Sequence, residues 1–176
     1  MSLNNVDLES VGSLVGAIQA EPVKAETVWS ATVDWTGGFR SEARIRDFPA
    51  LSSDEPAGLG GTDTAPNPVE QLLAALGNCL AVGYAANASV AGIELRSLRV
   101  ELSGDLDLHT FLGLADDHAG FRSISAKVHL ESDASAEAIE ALHAKVTSTS
   151  PVGHTLGRAI PVDIALGAAS RTNAVA

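Results

Sequence analysis

The sequence predicts an α+β domain, and three observations carry that prediction. Strand-like runs come in pairs joined by turns, one long uncharged helix lies between the pairs, and further helical segments precede a last strand-like run. With 176 residues the chain can bury one substantial core but not two. Its 45% hydrophobic and 19% charged residues are those of a globular protein. Aromatics make up only 4%, so the core must be built from Ala, Val, Leu and Ile. The formal net charge of −11 repels nucleic acid and anionic membranes at long range, and neither is expected as a partner. Residues 1–20 read as an N-terminal extension and residues 21–176 as a single domain.

The elements follow in chain order. Val6, Leu8, Val11, Leu14, Val15 and Ile18 are spaced as one face of a short helix over 6–19, weakened by Gly12 and Gly16. Two strand-like runs, 27–35 and 39–48, flank Thr36-Gly37-Gly38, where the glycine pair favours a hairpin. Residues 52–67 are rich in Gly, Pro, Ser, Thr and Asp and read as a long loop. Its Gly58-Leu59-Gly60-Gly61 stretch lacks the lysine and the leading strand of a phosphate-binding loop.

Asn67-Pro68-Val69-Glu70 starts a helix: Asn67 caps it, Pro68 suits the first position, and Glu70 sits where a capping-box acid belongs. No charged residue stands between Glu70 and Glu94. A run of that length could cross a bilayer. Gln71, Asn78, Asn87, Ser89 and the glycines at 77, 83 and 92 favour instead a buried central helix, with Gly77 the natural point for a break. Runs 93–108 and 121–130 read as long antiparallel strands joined by a polar connection holding His109 and His118. Asp133-Ala134-Ser135 opens a helix through about residue 147 with Ile139, Leu142 and Val146 on its apolar face. Ser150-Pro151 opens another, and residues 161–166 read as a closing strand.

Cys79, the only cysteine, is the centre of any chemistry here. On position alone a packing role is favoured, because free cysteine behaves as a small hydrophobe and apolar burial makes it inert. A reactive thiol needs a cation brought from elsewhere in the fold. Ser150 with His154 suggests a nucleophile and base, but no nucleophile elbow is present and Ser150 is already explained as a cap. The five histidines show no metal-ligand spacing, so no metal or other cofactor is expected.

The run Asn67-Pro68-Val69-Glu70-Gln71-Leu72-Leu73-Ala74-Ala75-Leu76-Gly77-Asn78-Cys79 resembles the OsmC/Ohr signature, in which a proline opens the helix that carries the peroxidatic cysteine. Thr36-Gly37-Gly38-Phe39-Arg40, Ser150-Pro151-Val152 and the closing strand agree with it. The resemblance implies antiparallel sheets around a buried central helix and an intertwined homodimer with two shared active sites. It also implies thiol-dependent reduction of organic hydroperoxides. Arg40 is then the candidate for the activating cation, with Arg44 or Arg46 as substitutes.

Two positions depart from the family pattern. Ser150 stands where hydroperoxide reductases of the family carry a resolving cysteine, so an external thiol must clear oxidised Cys79. Val69 stands where their catalytic glutamate follows the proline; Glu70 comes one place later. Glu70 is therefore a candidate catalytic residue, but a continuous helix sets it on the face opposite Cys79, and capping explains it without catalysis. The alternative reading is a non-catalytic protein of the same fold that binds a small apolar ligand or senses redox state at the dimer interface. The opening residues carry no basic, apolar leader, so a cytoplasmic location is the default expectation.

Overall fold

A computed structural model describes residues 2–167 of the chain. The end of the expected domain, residues 168–176, lies outside the described residues. Helix α1 (Leu8–Ala20) is capped by Asp7, whose carboxylate accepts from the Ser10 N–H, and lies one to two residues later than the 6–19 expectation. Ahead of it, a single turn at Leu3–Asn5 ties the extension to the body of the protein. Asn4 Nδ2 donates to Ser89 Oγ at 3.0 Å and to the Ile93 carbonyl at 2.9 Å, and the Leu95 N–H donates to Asn4 Oδ1 at 2.8 Å.

Strands β1 (Thr32–Gly37), β2 (Arg40–Arg44) and β3 (Leu51–Ser53) form one antiparallel sheet in that order. Its turn is the expected glycine pair, with Gly37 at φ 113° and Gly38 at φ 61°, angles that side chains with a Cβ rarely adopt. The expected strand runs 27–35 and 39–48 are both shortened, and Leu51–Ser53 is a strand the sequence did not suggest. Cross-strand pairing sets Val33 and Trp35 on the face of Ala43 and Leu51, while Thr32, Asp34, Glu42 and Arg44 share the other.

Helix α2 (Pro68–Val90) runs unbroken for 23 residues through Gly77. Leu102 packs against it: a Cβ on Gly77 would stand 2.8 Å from Leu102 Cδ1, the end of a flexible side chain that a small shift would clear. One stripe of α2, Leu76, Leu80, Tyr84 and Ala88, is buried at the four-residue spacing of a helix face. It packs on the inward side chains of β4 (Ser97–Leu106) and β5 (Phe121–Glu131), paired in register from Ser97↔Glu131 to Gly104↔Ile124. Leu142 and Val146 of α3 (Ala136–Thr149) close the core, and α4 (Pro151–Leu156) follows after Ser150.

α2 was expected as a buried central helix, covered at a dimer interface by the family resemblance; within one chain the Leu76–Ala88 stripe is covered and Val82 on another face is 69% exposed. α2 is also long and apolar enough to cross a membrane by length and composition alone. The closing strand expected at 161–166 does not form: these residues join no sheet, and Ile164 is 90% exposed. A strand is defined by its ladder, and although both sheets have open edges, neither takes up this segment.

Candidate active site

Cys79 stands in the middle of α2, eleven residues from each end, and is partly exposed. Its flank of the helix faces the junction of α3 and α4. One turn along, a Cβ on Gly83 would stand 3.0 Å from Val146 Cγ1 of α3. Four residues after Val146 comes Ser150, and its Oγ lies 3.3 Å from Cys79 Sγ. Ser150 is 5% exposed and is held by its capping duty, accepting the Gly153 N–H at 3.1 Å. Among the described residues Ser150 is the side chain that hydrogen-bonds Cys79; no charged group does.

The other flank of α2 borders an apolar cleft of about 660 Å³ between the helix and the first sheet. Ala74, Ala75 and Asn78 line it from the helix, and Ala43, Ile45 and Leu51 from the sheet. Gln71 bridges its end, donating at 3.0 Å to the carbonyls of both Ser52 and Pro66.

Arg40 opens β2 opposite Gly37, in the alternation that puts Glu42 and Arg44 on the polar face of the sheet. That face also carries the ion pairs of Arg44 with Asp34 at 3.4 Å and with Glu42 at 3.2 Å. The cleft lies against the opposite face, and among the described residues no hydrogen bond joins Arg40 to Cys79. Arg46 stacks its guanidinium 4.7 Å from the Phe48 ring centre. Glu70 completes the expected capping box: its carboxylate accepts the Asn67 N–H at 2.8 Å, and its own N–H donates to Asn67 Oδ1 at 2.9 Å. Nine residues along a continuous helix place it about 180° around and about 13.5 Å away along the axis from Cys79.

The structure also reveals an organising residue that the sequence reading missed. Asp54 is 1% exposed and accepts from the Glu55, Thr62 and Thr64 N–H groups and from the Thr62 and Thr64 hydroxyls. The Thr62 hydroxyl above all, with the other donors, holds its carboxyl far below the usual carboxylate range against the opposing effect of burial. The expected loop is therefore a built turn, linked to the start of α2 where Asn67 Nδ2 donates to Glu55 Oε2 at 3.3 Å. Gly61 in it has no room for a Cβ, which would fall 1.8 Å from the Glu55 carbonyl oxygen. Only the spacing of Asp54 from two later threonines could have signalled this.

Elsewhere, the buried Tyr84 hydroxyl meets His143 Nδ1, and burial raises the Tyr84 phenol above its ordinary value. Among the described residues no group of three His, Cys, Asp or Glu side chains could hold a metal ion.

Comparison with solved structures returns this fold repeatedly. An OsmC-like protein from Mycoplasma pneumoniae is 20% identical, with a TM-score of 0.65 over 75% of this chain and 89% of that one. An organic hydroperoxide resistance protein OsmC from Legionella pneumophila is 21% identical, with a TM-score of 0.58 over 74% of this chain and 91% of that one. An organic hydroperoxide resistance protein from Elizabethkingia anophelis is 18% identical, with a TM-score of 0.55 over 73% and 89% respectively. At these identities the likeness concerns the fold. No curated protein matches the chain. The sequence profile of the OsmC-like proteins, however, matches residues 61–165, from the Asp54 turn through α2, both long strands and the Ser150 junction, and the chain belongs to that family.

Proposed function

We propose that the protein is a one-cysteine thiol peroxidase that reduces organic hydroperoxides as a homodimer. The observation that carries this reading is the setting of Cys79: partly exposed at the centre of the family's helix and 3.3 Å from a polar hydroxyl, with an apolar cleft on the neighbouring flank of the same helix, lined by the adjacent Asn78. A hydroperoxide with a hydrocarbon tail suits that cleft better than hydrogen peroxide does. The Cys79 thiolate attacks the distal peroxide oxygen; an S–O bond forms as the O–O bond breaks, and the alkoxide leaving group takes a proton to become the alcohol. The sulfenic acid then condenses with an external thiol, releasing water, and a second thiol frees Cys79 as a disulfide product departs.

The homodimer reading is supported by what one chain leaves bare. Val33 and Trp35 on the first sheet, Val82 on α2, and Ile160, Val162, Ile164 and Leu166 after α4 all present apolar side chains to solvent. A second copy would cover these surfaces and could deliver Arg40 to the opposite chain's Cys79, where its charge would stabilise thiolate and leaving oxygen. Glu70 is assigned to the cap in this reading.

The test is consumption of cumene hydroperoxide with a monothiol or a dithiol as reductant, comparing the wild-type chain with Cys79→Ser. Turnover and dimedone-trapped sulfenic acid that both vanish with Cys79 are expected. Absence of both in the wild-type chain would refute the reading and favour a ligand-binding role for the cleft, which Val69 and Ser150 at the two departing positions already make coherent.

A further inference from the structure

We propose that Ser150 is the positioning residue of the Cys79 site, whose hydroxyl donates to the sulfur and stabilises both the thiolate and the sulfenate formed from it. The inference rests on the reading of Cys79 as the reacting group.

A serine hydroxyl has one proton to give and two lone pairs to receive with. One lone pair of Ser150 Oγ takes the Gly153 N–H at 3.1 Å. With the residue 5% exposed, water is a poor outlet for the proton, and the remaining polar neighbour is Cys79 Sγ at 3.3 Å. The hydrogen bond strengthens when the sulfur is ionised, because charge-assisted bonds are the stronger class. Donation by the Gly153 N–H polarises the hydroxyl further in the same direction.

The placement is built from several sides. Ser150 is fixed as the N-cap between α3 and α4, with Pro151 next in the chain. Gly153 leaves the hydroxyl its room, since a Cβ there would stand 3.0 Å from Ser150 Oγ and 3.2 Å from its Cβ. Cys79 is set on a helix that both the Asp54 turn and the Asn4 contacts hold at its ends.

The chemistry follows from what a hydroxyl can and cannot do. It can donate to a thiolate and then to the sulfenate oxygen. It cannot close the S–S bond that a thiol at the same place would form. The oxidised sulfur therefore persists until an external monothiol condenses with it and water leaves, and the hydroxyl remains unchanged through the cycle.

Three variants of the full chain test this. Ser150→Thr keeps both hydroxyl and cap. Ser150→Gly removes the hydroxyl while keeping most of the capping preference. Ser150→Ala removes both. The readouts are the pH profile of Cys79 alkylation by iodoacetamide and the melting temperature. For Ser150→Gly the alkylation midpoint is expected to move up by about one pH unit with the melting temperature nearly unchanged, and Ser150→Thr to restore the wild-type profile. Ser150→Ala should share the displaced midpoint and also melt lower. A wild-type midpoint in Ser150→Gly, or displacements that simply follow melting temperature across the three variants, would overturn the assignment. Alkylation needs no peroxide, so failure of the peroxidase reading would appear in the turnover assay while the Ser150 displacement stood.

Discussion

Replacing Asn4 by glycine should release the N-terminal extension from the body of the protein. Asn4 makes three hydrogen bonds across the chain: two donated by Nδ2, to Ser89 Oγ and the Ile93 carbonyl, and one accepted by Oδ1 from the Leu95 N–H. Each contributes about 1 kcal/mol net, so the contacts together hold the extension closed by about 3 kcal/mol. Asn4 also sits at φ 53°, a left-handed conformation in which alanine would add strain. Glycine tolerates that angle, so Asn4→Gly isolates the hydrogen bonds. Since 1.4 kcal/mol is a factor of ten, opening should become about 150 times more frequent. The residual bond from Ser89 Oγ to the Leu3 carbonyl, at 3.1 Å, would temper this. Amide hydrogen exchange reads it directly at the Leu95 N–H and across α1. Exchange within twofold of wild type at both places would show that the extension is held by something other than Asn4.

Three further outcomes are expected. Leu80→Ala opens a cavity beneath α2 and should cost about 2–5 kcal/mol, read as a lower midpoint in chemical denaturation; a loss under 1 kcal/mol would mean the α2 stripe is not the core. Glu70→Ala breaks the capping box and should cost about 1 kcal/mol, whereas Glu70→Gln keeps an acceptor for the Asn67 N–H and should recover most of it in the same measurement. Asp54 has a folded-state carboxyl held below its unfolded value, so its stabilisation is complete above the ordinary carboxylate range and lost as pH falls. Stability should therefore decline below about pH 4, and Asp54→Asn should flatten that slope in an acid series of melting curves.

Much of this was legible in the sequence because it depends on local rules. Asn67, Pro68 and Glu70 declare a helix start through capping chemistry, and the structure forms that box. Gly37-Gly38 declares a hairpin through backbone freedom, and Ser150-Pro151 a second helix start. What was not legible depends on distant partners. Gly77 reads as a helix break to any local rule, but the helix runs straight through it, with Leu102, 25 residues away in the chain, packed against it. Residues 161–166 alternate like a strand, yet strand formation needs an edge, and alternation does not say whose. The Cys79–Ser150 contact joins positions 71 apart and follows from how α3 crosses α2 rather than from either motif. The polar-face position of Arg40 likewise emerges only from the β1–β2 register.

The central seat of Cys79 in a helix tethered at both ends has a mechanical consequence. Helices loosen from their termini, and here one terminus is linked to the Asp54 turn and the other to the Asn4 contacts. The thiol is thus the part of α2 that end-fraying reaches last. It cannot swing out to meet a reactant or a second thiol, as a cysteine on a loop can. Any group that is to meet this sulfur must travel to it.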